Sequence, residues 1–367
     1  MNKGLLPELH IGDLFVKKPI IQGGMGVGIS MSGLASAVAN EGGVGVISAA
    51  GTGLLEPDGY ANFLEASKRR LRAEIRQARE ATNGILGVNI MVALSNFADM
   101  VTTSIEERID IIFSGAGLPI NLPQFLTKPS KTKLVPIVSS GRAFTVIAKK
   151  WLSKYNYLPD AVVVEGPKAG GHLGFKPEEL DDPGFSLENL ILEVKDAVKP
   201  FIEKYGKTIP IIAAGGIFDG FDIYKIMKLG ADGVQMATRF VTTHECDASI
   251  KFKQAYIDAK PEDTVIIKSP VGMPGRAIRN EFIAEVEAGN KTPFKCPYHC
   301  ITTCEAQSSP YCIALALMNA QKGDLKHGFE FAGSNVYRCK EIVSVKELIA
   351  TLEKEYKEAA QADSDNN

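Results

Sequence analysis

The sequence VVVEGPKAGGHLGF, residues 162–175, places an imidazole, His172, at the end of what reads as a buried strand. Its β-branched run meets a carboxylate, Glu165, then a Gly-Pro turn, Lys168, the pair Gly170 and Gly171, and the histidine. An ordinary imidazole pKa of about 6.5 keeps both protonation states accessible near neutrality, which suits a general base or a hydrogen-bond partner. The bare backbone just before it leaves room for a flat or anionic ligand to approach the N–H groups. A second cluster with chemical potential is Cys296, Cys300, Cys304 and Cys312, spaced C-x3-C-x3-C-x7-C, with His299 inside it. On a helix the first three would share one face. Zinc sites more often use C-x2-C or C-x4-C pairs and ferredoxin-type clusters other spacings, and neither template is met. The reading therefore assigns no metal ligand and takes these thiols as buried free cysteines, with a metal or iron–sulfur site as the alternative. His10 and His327 read as surface residues and His244 as structural, while Arg239 is left unassigned between neutralising a phosphate and pairing with Asp232.

The elements that must position His172 are legible as a repeated pattern: a short apolar run, a glycine-bearing turn, then a helix-like segment. The strand candidates are 19–23, 43–48, 86–91, 109–114, 133–139, 161–166, 209–216 and 233–240. Near-continuous β-branched runs point to strands buried on both faces, as in a parallel sheet. Helical segments lie between most of them, among them 32–42, with Ser32 as a plausible N-cap, 60–80 and 221–231. Eight such units over roughly 240 residues predict an α/β fold, a (β/α)8 TIM barrel. A doubly wound open sheet is the rival, but no G-x-G-x-x-G follows an early strand. Beyond Phe240 the pattern stops, and residues from about 242 to 310 show no periodic strands. The expected division is a barrel core over 1–241, a smaller cysteine-containing excursion or lid over 242–313, and C-terminal helices returning to the barrel over 314–367. Those helices are 310–323 and 345–361, with a polar tail expected to be disordered.

The bulk composition excludes several classes of partner. Acids and bases nearly balance, at a formal net charge of −2, so no electrostatic footprint for nucleic acid or an anionic membrane is present. No run reaches the ~18 apolar residues of a membrane helix, and charges interrupt the N-terminal apolar residues, which argues against a signal peptide. The expectation is a cytoplasmic enzyme with a small-molecule substrate, as a possible homodimer. Six cysteines in 367 residues are too sparse for a disulfide scaffold.

In a barrel of this kind ligands bind at the C-terminal strand ends. Those ends carry Gln22–Gly28, Asn89, Ser114–Pro119, Glu165–His172, Ala213–Gly220 and Gln235–Phe240. The glycines after strand seven and the turn after strand eight occupy the usual phosphate position, with a helix N-terminus adding positive character. A phosphate cradle plus several close backbone approaches fits flavin mononucleotide, FMN. A sugar phosphate is equally allowed on these grounds, in a non-redox isomerase or aldolase with Lys168 and Asp232 as acid-base groups.

The ordered series PIIQGGMGVGIS, GVNIM, EGPKAGGHLG, IPIIAAGGIFDG and QMATRF resembles the nitronate monooxygenase (2-nitropropane dioxygenase) superfamily, which includes the flavin-dependent enoyl-acyl-carrier-protein reductase II. The likeness runs from about Lys18 to Phe240 and more loosely through 331–338. It implies an FMN-binding barrel in which Gly23, Gly24 and Met25 contact the flavin ring and Asn89 makes a polar contact. It further implies phosphate-side contacts from Gly170, Gly171, Gly215, Gly216, Gln235, Met236, Ala237 and Thr238, with His172 as the active-site histidine. Glu165 joins the cofactor-binding set; it stands where monooxygenases often have Gln, and it favours the reductase. The stretch 269–280, SPVGMPGRAIRN, does not closely follow the reductases. The resemblance thus implies oxidation of alkyl nitronates with oxygen as the first reading. The second is an NAD(P)H-dependent enoyl reductase, which alone would bring acyl carrier protein as a partner.

Overall fold

Short apolar strands buried on both faces cannot stand at an edge, and here they close on themselves. The structure, a computed structural model, describes residues 6–126, 130–291, 296 and 298–365. The chain opens with an antiparallel hairpin, β1 (Leu9–Ile11) and β2 (Leu14–Val16). Then follow β3 (Ile20–Gln22), β4 (Val44–Ser48), β5 (Ile85–Met91), β6 (Ile111–Gly115), β7 (Lys133–Val138) and β8 (Val162–Glu165). A two-residue strand, β9 (Gly171–His172), precedes β10 (Ile211–Ala214), β11 (Gly233–Met236), β12 (Thr264–Lys268) and β13 (Pro274–Ile278). The strands β3 to β8, β10 and β11 pair in parallel as a closed barrel, with β8 beside β10 and β11 beside β3.

Helices α1 (Ser32–Asn40), α2 (Phe63–Ala81), α3 (Phe97–Glu106), α4 (Gly141–Tyr155), α5 (Leu187–Tyr205) and α6 (Gly220–Lys228) return the chain between strands. The remaining helices are α7 (Thr238–Val241), α8 (Ile250–Asp258), α9 (Glu281–Glu287), α10 (Ile313–Gln321) and α11 (Val345–Asp365). Inward side chains such as Ile21, Val46, Ile111, Phe113, Val163 and Ile212 fill the barrel together with Leu9, Ile11 and Val16 of the hairpin. The hairpin thus stoppers the N-terminal end, leaving the C-terminal end for ligands.

Four local expectations are corrected. Ser32 does not cap α1; the cap position is Met31, and the N–H groups there reach distant carboxylates, Met31 and Leu34 to Asp247 and Ser32 to Glu74. The eighth strand stops at Met236, because Thr238–Val241 turns at once into α7. The excursion does contain strands: β12 and β13 form a hairpin whose second strand also pairs with β9. Finally, the C-terminal helix does not stop at 361 but continues to Asp365, where Asp363 accepts hydrogen bonds from Tyr224 and Lys228 of α6. Among the described residues, no helix is long and apolar enough to cross a membrane.

Candidate active site

The route to His172 begins at the top of β8. Gly166 N–H bonds the Ala214 carbonyl of β10, a turn closes from Ala169 N–H to the Gly166 carbonyl, and the chain reaches Gly170. There is no room for a side chain at Gly170: a Cβ would lie 2.5 Å from the Ala332 carbonyl carbon. Gly171 adopts φ +79°, a conformation that glycine takes without strain. His172 then pairs with Gly275 of β13, and Leu173 N–H bonds the Pro274 carbonyl at 2.9 Å. The turn itself is clamped by Arg276, a buried guanidinium that donates to the carbonyls of Pro167 and Ala169. A strand from the excursion therefore holds the imidazole over the barrel mouth.

The imidazole is fixed at its other edges too. Its Nε2 lies 2.7 Å from Ser269 Oγ, and its ring meets Phe331 edge-on at 4.9 Å between centroids. Phe331 is held in turn by Tyr256, whose hydroxyl donates to the Phe331 carbonyl. Burial pushes the His172 pKa down to about 4, so the ring is neutral around pH 7. Burial has the opposite effect on Glu165, pushing its carboxyl up to about 7. The same desolvation thus produces a weakly basic imidazole and a carboxyl that is part protonated near neutrality.

Both groups line a cavity of about 440 Å³ at the C-terminal ends of the strands. Every residue expected from the sequence to bind a cofactor lines it too: Gly23, Gly24, Met25, Asn89, Gly170, Gly171, Gly215, Gly216, Gln235, Met236, Ala237 and Thr238. Gly24 lies against Asn89, where a Cβ would collide. Gly215 and Gly216 run at φ +92° and +87°, turning the chain so that its backbone faces the cavity. The helix contribution expected beside them is small. The turn after β11 leads into only four helical residues, and the N-terminus of α6 is already served by Asp219, Asp222 and Glu355. Backbone amides, Thr238 and Lys168 carry the polar character there.

Several candidates fall outside the site. Asp232 precedes β11, where it accepts from Ile211 N–H at 2.8 Å, at the barrel end away from His172. It therefore cannot serve with Lys168 as an acid-base pair. Arg239 does not pair with it but stacks on Phe218, 4.6 Å from the ring centroid. His244, His10 and His327 are exposed, the last beside Asp324. Conversely, Ser269, Tyr256, Arg276 and Phe331 were not identified from the sequence as site residues. Ser269 and Arg276 lie in the stretch SPVGMPGRAIRN and Phe331 opens FAGSNVYR, both conspicuous without an assignable role.

The roof comes from beyond β11: Val271, Met273, Cys300, Ile301, Ile313 and Leu317 close over the mouth. The segment 300–302 is tied down by Ser95 N–H to the Cys300 carbonyl and Thr302 N–H to the Ala93 carbonyl. The sequence resemblance implies a glycine-lined barrel mouth with one active-site histidine, and it says nothing of the roof. The sequence profile of that family, nitronate monooxygenase, matches residues 8–355. The chain belongs to the nitronate monooxygenase family. A probable nitronate monooxygenase of Staphylococcus aureus (strain Newman) is 29% identical over 321 residues, 78% of this chain and 81% of its own. Among solved structures, FabK from Thermotoga maritima is similar over 95% of this chain and 96% of its own, at 30% identity and a TM-score of 0.73. A nitroalkane oxidase from Streptomyces ansochromogenes shares the fold, with a TM-score of 0.71 and 24% identity over 94% of this chain and 97% of its own. As a member of the nitronate monooxygenase family, the protein is an oxidoreductase on a (β/α)8 barrel.

Proposed function

We propose that the protein is an FMN-dependent oxidoreductase that oxidises alkyl nitronates with molecular oxygen. The observation that carries this reading is a neutral imidazole, His172, fixed by Ser269 at the edge of a glycine-lined cavity. Features of the cavity itself support a flavin there. Gly171 lines the cavity with nothing within 4 Å of its Cβ position, and positive φ at Gly171, Gly215 and Gly216 presents bare backbone. Gly23, Gly24, Met25 and Asn89 would hold the ring, with Glu165 beside it. Gly170, Gly171, Gly215, Gly216, Gln235, Met236, Ala237 and Thr238 would hold the phosphate side. Bound there, FMN would supply the electron-accepting and oxygen-reactive chemistry.

The roles of the chain's own groups follow from their charge states. With a pKa near 4, His172 is a poor base for removing a carbon-bound proton from a neutral nitroalkane. It is well suited to hydrogen-bond a nitro group that is already an anion, which favours the nitronate as substrate. Glu165, protonated in part near pH 7, avoids placing a full negative charge beside that anion. The apolar roof of Val271, Met273 and Leu317 keeps bulk water from the site and accepts an alkyl chain.

FabK supports a second reading, enoyl-thioester reduction by NAD(P)H with an acyl-carrier-protein substrate, because it matches 95% of this chain at 30% identity. One experiment separates the two. Purified protein should be yellow and release FMN on denaturation. Under anaerobic conditions, bleaching by an alkyl or propionate-type nitronate but not by NADH or NADPH supports the monooxygenase. Bleaching by NADH or NADPH alone supports the reductase, and a colourless protein that cannot be reconstituted with FMN refutes both.

A further inference from the structure

Cys296, Cys300, Cys304 and Cys312 have no part in the chemistry above, yet they converge. All four line one small pocket of about 20 Å³ together with His299. None is in a disulfide, and the other three thiols each act electrostatically on Cys300. The sequence spacing would set the first three on one helical face, but no helix forms among the described residues there. The chain instead folds Cys296, Cys300 and Cys304 towards Cys312, at the N-cap of α10.

From these observations we infer that the four cysteines ligate an iron–sulfur cluster of the four-iron type. The choice among thiolate-bound groups follows from spacing. A single zinc ion with bonds of about 2.3 Å draws its four sulfurs to one point and leaves no void between them. Among the described residues no three His, Cys, Asp or Glu side chains converge in that way. A cubane cluster holds its four thiolates apart, around a core of iron and sulfide, which suits four cysteines lining one pocket.

Two further features agree. Between α9 and α10 the described residues carry no helix and, apart from the bridge of Leu94 to Ile301, no strand pairing. A connection of that length without regular structure is uncommon and usually serves a function. Cys312 sits at the N-cap of α10 with the backbone N–H groups of Ala314 and Leu315 beside its sulfur, placed to donate to a metal-bound thiolate, although burial raises the pKa of the free thiol. Loading the site replaces four S–H bonds with four bonds from iron to cysteine sulfur and releases four protons. Transfer of a pre-formed core needs no change of oxidation state, whereas assembly from ferric iron and sulfide needs two electrons per core, which a thiol reductant supplies by forming one disulfide.

The site adjoins the active cavity, since Cys300, Ile301 and Ile313 line both. A cluster here would order the roof over His172. The inference does not depend on the bound flavin or on the substrate.

The test uses the full chain, purified without oxygen and, in parallel, reconstituted with ferric iron and sulfide under a thiol reductant. About four iron and four acid-labile sulfide per chain are expected. Dithionite reduction should then give a fast-relaxing electron paramagnetic resonance signal seen only at low temperature, distinct from any flavin radical. Cys304→Ser and Cys312→Ser should each lower the iron and sulfide content severalfold, while Cys339→Ser, at a buried cysteine elsewhere, should leave it unchanged. No iron after reconstitution, one zinc per chain, iron without sulfide, or two disulfides in the anaerobic protein would each overturn the assignment. Because the wild-type stoichiometry is decisive, a variant that fails to fold does not rescue the idea.

Discussion

His172 and Glu165 start from ordinary pKa values about two units apart and are driven past each other by one cause, removal from water. Their order on the pH scale is inverted, and the inversion has consequences for an anionic substrate. Glu165 ionises as pH rises through about 7 and then repels a nitronate. KM for an alkyl nitronate should accordingly climb roughly tenfold above that pH. In Glu165→Gln the profile of log KM against pH should be flat; an unchanged rise would assign it to another group. At His172, substitution by Ala should lower kcat/KM by about 10²- to 10⁴-fold with flavin content preserved. Ser269 acts only through the ring it orients, so Ser269→Ala should cost roughly five- to tenfold. Ser269→Thr, which keeps the hydroxyl, should restore most of that loss, whereas a packing role alone would not distinguish the two variants. His172 was visible in the sequence because its strand, turn and glycines are consecutive. Ser269 was not, because its contact spans 97 residues and one serine in a loop carries no periodic signal.

Secondary elements were legible to the extent that their partners are local or their faces buried. Although β11, Gly233–Met236, carries a single β-branched residue, most barrel strands announce themselves as runs rich in them, since both faces meet apolar neighbours. The β12–β13 hairpin does not, because β12 is partly exposed along most of its length and lacks a clean alternation. At two residues β9 is beneath any periodic pattern and exists only because β13 reaches it. Similarly, the α1 N-terminus looked capped by its own Ser32 when the carboxylates that serve it lie on α2 and beyond β11. The element-scale prediction concerns the segment that delivers His172. Gly170→Ala puts a methyl group 2.5 Å from the Ala332 backbone, which no rotamer can relieve. It should displace residues 332–333, lower bound FMN at least tenfold in an equilibrium titration and reduce activity in proportion. Gly206→Ala is a control without a clash, since nothing lies within 4 Å of the new Cβ, although it carries the strain of φ +65° that Gly170 does not share.

For the molecule as a whole, the most unusual group lies behind the site. Glu330 is 1% exposed, and neither carboxylate oxygen has a hydrogen-bond partner. Burial raises its pKa to about 8. Between the unfolded value near 4.5 and about 8, the folded state keeps a proton that the unfolded state gives up. Stability must therefore fall as pH rises across that window, by up to about 1.4 kcal/mol per unit, and level off above it. Glu165 acts in the same direction up to about 7, while His172, neutral when folded and charged when unfolded, opposes both between about 4 and 6.5. Glu330→Gln should remove most of the decline between pH 6.5 and 8 in urea unfolding followed by circular dichroism. A variant as pH-dependent as the parent would show that Glu330 finds a partner on folding.

The pairing of β9 with β13 also sets an order of events in time. Most barrel strands join near neighbours in the chain, but the closing pair sets Val234 of β11 beside Ile20 of β3, and His172 meets Ser269 only after a further loop of 97 residues has closed. Contacts so distant in sequence form slowly. On dilution from denaturant, helical signal should therefore return before turnover does. A nascent chain would likewise complete its barrel well before it became an enzyme.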